Sequence, residues 1–190
     1  MTDSDRASRR ALLTRTGTAL AGGALVLAGC GSVSTGKKAV EQTSALVRQD
    51  DIQILGRALE LERRTVNAYI ASIPLLARPQ RKAFRQFLNE ELQHAGELVS
   101  LLKAAGGTAA PRADSYAIGH AIDAPSAFTV LHSLEKLQIS SYLEWIPRLS
   151  PGPVRAAVAS ILTVDSQHLA MVRLMQDQDP VPGPFVTGTA

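Results

Sequence analysis

Four stretches of this sequence repeat apolar residues at steps of three and four, and each carries an acid near the middle of its apolar stripe. The first stripe is Leu55, Leu59, Glu62, Val66 and Tyr69, and the second is Phe84, Phe87, Glu91, His94, Leu98 and Leu101. The third is Phe128, Leu131, Glu135, Gln138, Tyr142 and Trp145, and the fourth Val154, Val158, Ile161, Asp165, His168, Val172 and Met175. Steps of three and four put each set on one side of an α-helix, the side that must find a core. Acids are almost never fully buried without compensation, because an unpaired carboxylate in an apolar interior costs several kcal/mol or takes up a proton. Four such groups in one core would threaten a fold whose whole stability is about 5–15 kcal/mol. No lysine or arginine stands on these stripes to pair with them.

The breaks between the stripes fix how they fold together. The first helix is expected from about Asp50 to Ile73, ending at Pro74, and the second from about Pro79 to Ala105, closed by Gly106-Gly107. The third is expected from Ala124 or Pro125 to Pro147, and the fourth from the Pro151-Gly152-Pro153 turn to about Asp179-Pro180. Short links join the first two and the last two, so each pair is expected as an antiparallel hairpin; the longer link between them can cross the bundle. The tail from Pro180 to Ala190 is expected to pack as an extended strap. The low aromatic content of 4% and the 45% of hydrophobic residues agree with an all-α four-helix bundle.

Divalent metal is the natural compensation for the acids, since two such ions carry as much positive charge as four carboxylates carry negative. Glu91 and His94 are three residues apart, as are Asp165 and His168, so each pair projects from one side of its helix. Glu62, Glu91, Glu135 and Asp165 all lie about halfway along their helices, which brings the acids and both histidines to one level. The arrangement also repeats. Tyr69 follows Glu62, and Tyr142 follows Glu135, by seven residues, while Glu91 and Asp165 follow the same two glutamates by 29 and 30. One Glu from each of two helices, with Glu-x-x-His from each of the other two, is the pattern of di-metal carboxylate bundles. Carboxylates with two imidazoles suit iron or manganese. Tyr69 and Tyr142 fit either as core aromatics or as hydroxyl partners of the ligand carboxylates. Glu60, Glu90, Glu97 and Glu144 lie off the stripes and are expected in solvent, and His120 and His132 are expected to be structural.

The N-terminal region reads as an export leader. Arg9 and Arg10 open the stretch Ser8-Arg9-Arg10-Ala11-Leu12-Leu13, which resembles a twin-arginine signal, and an apolar run from Gly17 to Gly29 follows, too short to span a bilayer. Leu27-Ala28-Gly29-Cys30 resembles a lipobox, in which Cys30, the lone cysteine, takes a diacylglycerol that holds the protein to membrane lipid. The expected division is a signal peptide at 1–29, a lipidated tether at 30–48 and a helical domain at 49–190, on the outer face of a bacterial membrane. Of 20 basic and 17 acidic side chains, the first thirty residues hold four and two, leaving 16 against 15. So balanced a domain has no basic stripe, and nucleic acid is not an expected partner.

The stretches LGRALELERRTVNAYIASIP, FLNEELQHAGELVSLLKAAGG, LEKLQISSYLEWIP and ILTVDSQHLAMVRLMQ, with PFVTG near the end, resemble the ferritin-like superfamily, particularly exported bacterial members grouped with desiccation-related proteins. The resemblance implies Glu62 and Glu135 as terminal ligands, Glu91 and Asp165 as bridging ligands, and His94 and His168 as nitrogen ligands of two ions. It further implies iron, dioxygen or peroxide as substrates, and is compatible with a homo-oligomer. Asp165 stands where that pattern usually has Glu, one methylene longer. The alternative is a non-catalytic envelope protein of stress or desiccation with a structural, mononuclear or vestigial metal site.

Overall fold

The computed structural model describes residues 49–150 and 152–188. The expected leader, including Arg9, Arg10 and Cys30, and the expected tether to residue 48 lie outside the described residues. Among the described residues the secondary structure is helical: α1 (Gln49–Ser72), α2 (Arg78–Ala104), α3 (Ala124–Trp145) and α4 (Gly152–Met175). None of these helices is long and apolar enough to cross a membrane.

Local chemistry sets the ends. Asp50 and Asp51 sit in the first turn of α1, where negative charge complements the helix dipole. Pro74 and Pro147 each fall in a short 3-10 turn that follows α1 and α3, since proline cannot donate to a continuing helix. The start of α3 is a capping box: Asp123 Oδ1 accepts from the Ser126 N–H at 2.9 Å, and Ser126 Oγ accepts from the Asp123 N–H at 3.1 Å. Gly106, at φ +79, closes α2 in a Schellman turn, with the Gly107 N–H on Leu102 O at 2.9 Å and the Gly106 N–H on Lys103 O at 3.1 Å.

The fourth helix stops at Met175, four residues short of the expected end. Asp177 adopts φ +56 and supplies the same closure without glycine: the Gln178 N–H reaches Arg173 O at 3.0 Å and the Asp177 N–H reaches Leu174 O at 3.2 Å. Aspartate tolerates the left-handed region better than most residues. The residues after it run back as the expected strap. Gly188, at φ +67, lies so close to α3 that a Cβ would stand 2.6 Å from Ser140 N and 2.8 Å from Lys136 O.

The helices pair as two hairpins, and the second hairpin is inverted on the first. Asp51, at the start of α1, accepts the Ser150 N–H at the α3–α4 link at 3.0 Å, while Gln80, at the start of α2, meets Met175 Sδ at the end of α4. The α2–α3 link travels the length of the bundle: Ala109 packs with the cluster at one end, Ile118 and Ala121 with the cluster at the other. Arg63 Nη1 holds this crossover through Ala110 O at 2.7 Å. At one end the core is Leu55, Leu59, Leu98, Leu102, Trp145 and Val158. At the other it is Ile73, Leu76, Phe84, Phe128, Leu131 and Val172. Each fully buried side chain of this kind is worth about 1.5–3 kcal/mol, and the two clusters clamp the layer of acids between them.

Candidate metal centre

Each helix brings its mid-stripe acid into that layer. Glu62, Glu91, Glu135 and Asp165 are fully buried, His168 is 1% exposed and His94 9%. Their ligand atoms gather in two groups, Glu62–Glu91–His94–Asp165 and Glu91–Glu135–Asp165–His168, and within each group the atoms lie within 4.8 Å of one another. Glu91 and Asp165 belong to both. The six residues expected from the sequence therefore meet at one level.

Both imidazoles present Nδ1 to the acids. His94 Nδ1 lies 3.3 Å from Asp165 Oδ1, 3.7 Å from Glu62 Oε2 and 3.9 Å from Glu91 Oε1. His168 Nδ1 lies 2.9 Å from Glu91 Oε1 and 3.5 Å from Glu135 Oε1. The tyrosines cross over between the hairpins: the Tyr69 hydroxyl donates to Glu135 Oε1 at 2.5 Å, and the Tyr142 hydroxyl donates to Glu62 Oε1. Of the two expected roles, the structure thus gives both tyrosines the hydroxyl-to-carboxylate one. Burial first, then the neighbouring carboxylates, raise both phenols well above their ordinary value, so each keeps its proton for that bond.

The electrostatics show how uncomfortable the layer is on its own. Burial pushes Glu91 well above the ordinary carboxylate range, and the charges of Glu62, Glu135 and Asp165 push it further. Burial likewise raises Asp165, with Glu62 adding and His94 opposing. Burial disfavours a charged His94, yet its contacts with Asp165 and Glu62 prevail and hold its pKa up to about 10. Five buried atoms of the layer lack a hydrogen-bond partner: Glu62 Oε2, His94 Nδ1, Glu135 Oε2 and both oxygens of Asp165. Buried polar atoms are ordinarily satisfied. Five unsatisfied ligand atoms on three carboxylates and one imidazole, in a layer of four carboxylates and two imidazoles with no lysine or arginine among them, fit divalent cations.

Two contributors escape a single-helix pattern. Gln138 stands on the α3 stripe and was given no role by the sequence; its Nε2 donates to Glu91 Oε2 at 3.1 Å, and its own carbonyl accepts from Thr65 Oγ1 at 2.9 Å. Glu90 was expected in solvent. Instead its Oε2 meets His168 Nε2 at 2.8 Å, while Glu60, Glu97 and Glu144 are exposed as expected. His120 is exposed, and half-buried His132 is lowered by burial and by the charges of Arg173 and Lys136; neither joins the cluster.

The family model described as the ferritin-like domain matches residues 49–178. The chain belongs to the ferritin-like domain family. Two solved structures share its fold. The conserved hypothetical protein rv2844 from Mycobacterium tuberculosis has a TM-score of 0.64 at 16% identity, over 67% of this chain and 98% of that one. A dodecameric thioferritin, the bacterioferritin-related protein from Bacteroides fragilis, has a TM-score of 0.62 at 18% identity, over 74% and 94%. No curated protein matches the sequence. As in the expected ferritin-like architecture, this member surrounds a layer of buried acidic and histidine groups able to bind metal with four helices.

Proposed function

We propose that this ferritin-like protein holds two metal ions, iron by preference and manganese as the alternative, and handles iron, dioxygen or peroxide at the outer face of a bacterial membrane. One observation carries the reading: two ligand groups, each with one imidazole Nδ1 and three carboxylates, share Glu91 and Asp165. That sharing supports Glu91 and Asp165 as bridging ligands, Glu62 and Glu135 as terminal ones, and His94 and His168 as nitrogen ligands. When bound, the ions supply a one-electron couple for oxidising Fe(II) with dioxygen or peroxide as the acceptor. The chain's own part is to position and to exclude water. Tyr69 and Tyr142 each occupy one oxygen of a terminal carboxylate and leave the other free, while Gln138 donates to Oε2 of Glu91, whose Oε1 faces His168 Nδ1. The twin-arginine and lipobox resemblances support export and a lipid anchor at Cys30. The dodecameric thioferritin raises self-association for this chain as well, and light scattering of the protein lacking its leader measures it.

The test is anaerobic reconstitution with Fe(II), followed by elemental analysis and exposure to dioxygen or peroxide. Two ions per chain and Fe(II)-dependent consumption of the oxidant are expected, and a protein that binds no iron overturns the proposal. The near-complete burial of the layer favours one second reading, a structural metal that locks the bundle without turnover. Two tightly held ions, a large metal-dependent rise in melting temperature and no oxidant consumption would select it.

A further inference from the structure

The two halves of the centre are related by the internal repeat, and the repeat is broken beside the ligands as well as at Asp165. Glu91 and His94 correspond to Asp165 and His168 at an offset of 74 residues. By the same offset Glu90 corresponds to Val164, and Phe87 to Ile161. In the structure Glu90 is part of a chain of contacts that ends on His168. Gln86 Nε2 donates to Glu90 Oε1 at 2.9 Å, and Glu90 Oε2 meets His168 Nε2 at 2.8 Å. Phe87 packs on the same imidazole with ring centroids 4.4 Å apart, and Tyr69 meets it edge-on at 6.2 Å. His94 is the more exposed imidazole, 9% against 1%, and the positions that the repeat would use to back it are an aliphatic valine and isoleucine.

An imidazole ligates through one nitrogen and is oriented through the other. A carboxylate on the outer N–H fixes the tautomer and ring plane and makes the inner nitrogen a stronger donor. Glu90 sits on the outer nitrogen, so a ligating His168 would keep its hydrogen on Nε2 and turn Nδ1 toward the side of Glu91 and Glu135. We infer that Glu90 is a positioning residue for His168, and that it makes the two metal positions unequal, with the His168 half binding tightly and the His94 half, where the position equivalent to Glu90 is Val164, exchanging its ion. Glu90 touches neither substrate nor metal in this assignment. The inference rests on the two-metal reading above and adds an order of filling to it.

The test uses the full-length protein with Mn(II), an ion that needs no exclusion of air, titrated calorimetrically into wild type, Glu90→Ala and Glu90→Gln. Wild type is expected to show two steps of clearly different affinity. Glu90→Ala is expected to weaken the tighter step by about 10- to 100-fold and leave the weaker step in place, with Glu90→Gln between them because its amide oxygen still accepts from Nε2. Nitrogen NMR of the protein loaded with diamagnetic Zn(II) should show the His168 Nε2 hydrogen losing the downfield shift of a carboxylate-bonded imidazole in Glu90→Ala alone, a signature that a loss of packing would not give. Because Glu90 is partly exposed at 30%, the fold should survive both changes, which circular dichroism checks. Two equal steps in wild type, or a tighter step unmoved by Glu90→Ala, overturns this inference and leaves the two-metal reading standing. A wild type that binds no Mn(II) and no Fe(II) overturns both.

Discussion

Glu91 shows most plainly what the centre asks of a single side chain. Its Oε2 takes the Gln138 amide at 3.1 Å and its Oε1 lies 2.9 Å from His168 Nδ1, inside a layer with three more acids. Burial and those neighbours make its charge costly until a cation shares it. Glu91→Gln keeps the size and the acceptor for Gln138 while removing the charge. The metal-free variant is expected to melt higher than metal-free wild type, by the about 0.5–2 kcal/mol typical when a strained site is relaxed, and to lose the rise in melting temperature that Mn(II) gives wild type. A variant that melts lower without metal would show that Glu91 is comfortable in the empty core. This residue was legible from the sequence because its own helix marks it: an acid on a greasy stripe has few explanations. Glu90 was not legible. Its helix places it on the flank, and only the arrival of His168 from α4 turns that flank into part of the centre. Periodicity describes one helix at a time and is silent on which side chain a neighbour brings across.

At the scale of the element, the boundaries that came out as expected are those with a residue that can do nothing else. Pro74 and Pro147 end α1 and α3, Asp123 caps α3, and Gly106 closes α2. The end of α4 was misplaced because Asp177 performs a turn usually given to glycine, and nothing in Gln176-Asp177-Gln178 distinguishes it from three more helical residues. Gly106 allows the device to be tested. A Cβ there would meet nothing within 4 Å, so the cost of Gly106→Ala is the left-handed backbone alone. We expect a loss of about 1 kcal/mol, near 2–4 °C in melting temperature for a domain of this size, with metal stoichiometry unchanged. Gly107→Ala should cost more, since its Cβ would stand 2.8 Å from Ile52 Cγ2 and 3.3 Å from Leu102 O. No loss in Gly107→Ala would show that crowding against α1 does not matter, since the left-handed backbone belongs to Gly106 alone of the two.

Over the whole molecule the two apolar clusters and the polar layer between them pull against each other, and pH reports the tension. Glu91 and Asp165 are raised above ordinary carboxylate values, mainly by burial. His94 is raised to about 10 and His168 is raised as well, because acidic contacts outweigh burial. All four groups therefore bind protons more tightly in the folded chain than in the unfolded one. A group with a raised folded pKa stabilises the fold fully below its unfolded pKa, and that contribution fades as pH climbs through the folded value. For the two acids the loss begins above pH 4–5, their ordinary range being near 3.8 and 4.5. For His94 it runs from about 6.5 to about 10. The metal-free bundle should thus lose stability steadily from pH 5 to pH 9, although many proteins are most stable near neutrality. Metal reverses the requirement, since ligation needs the same atoms without protons and grows stronger as pH rises. Melting curves with a chelator and with excess Mn(II) at intervals across that range should diverge, the metal-dependent rise being small at pH 5 and large at pH 8. Parallel curves would mean that these groups give up no protons to the ion, and that the ion binds somewhere other than between the four helices.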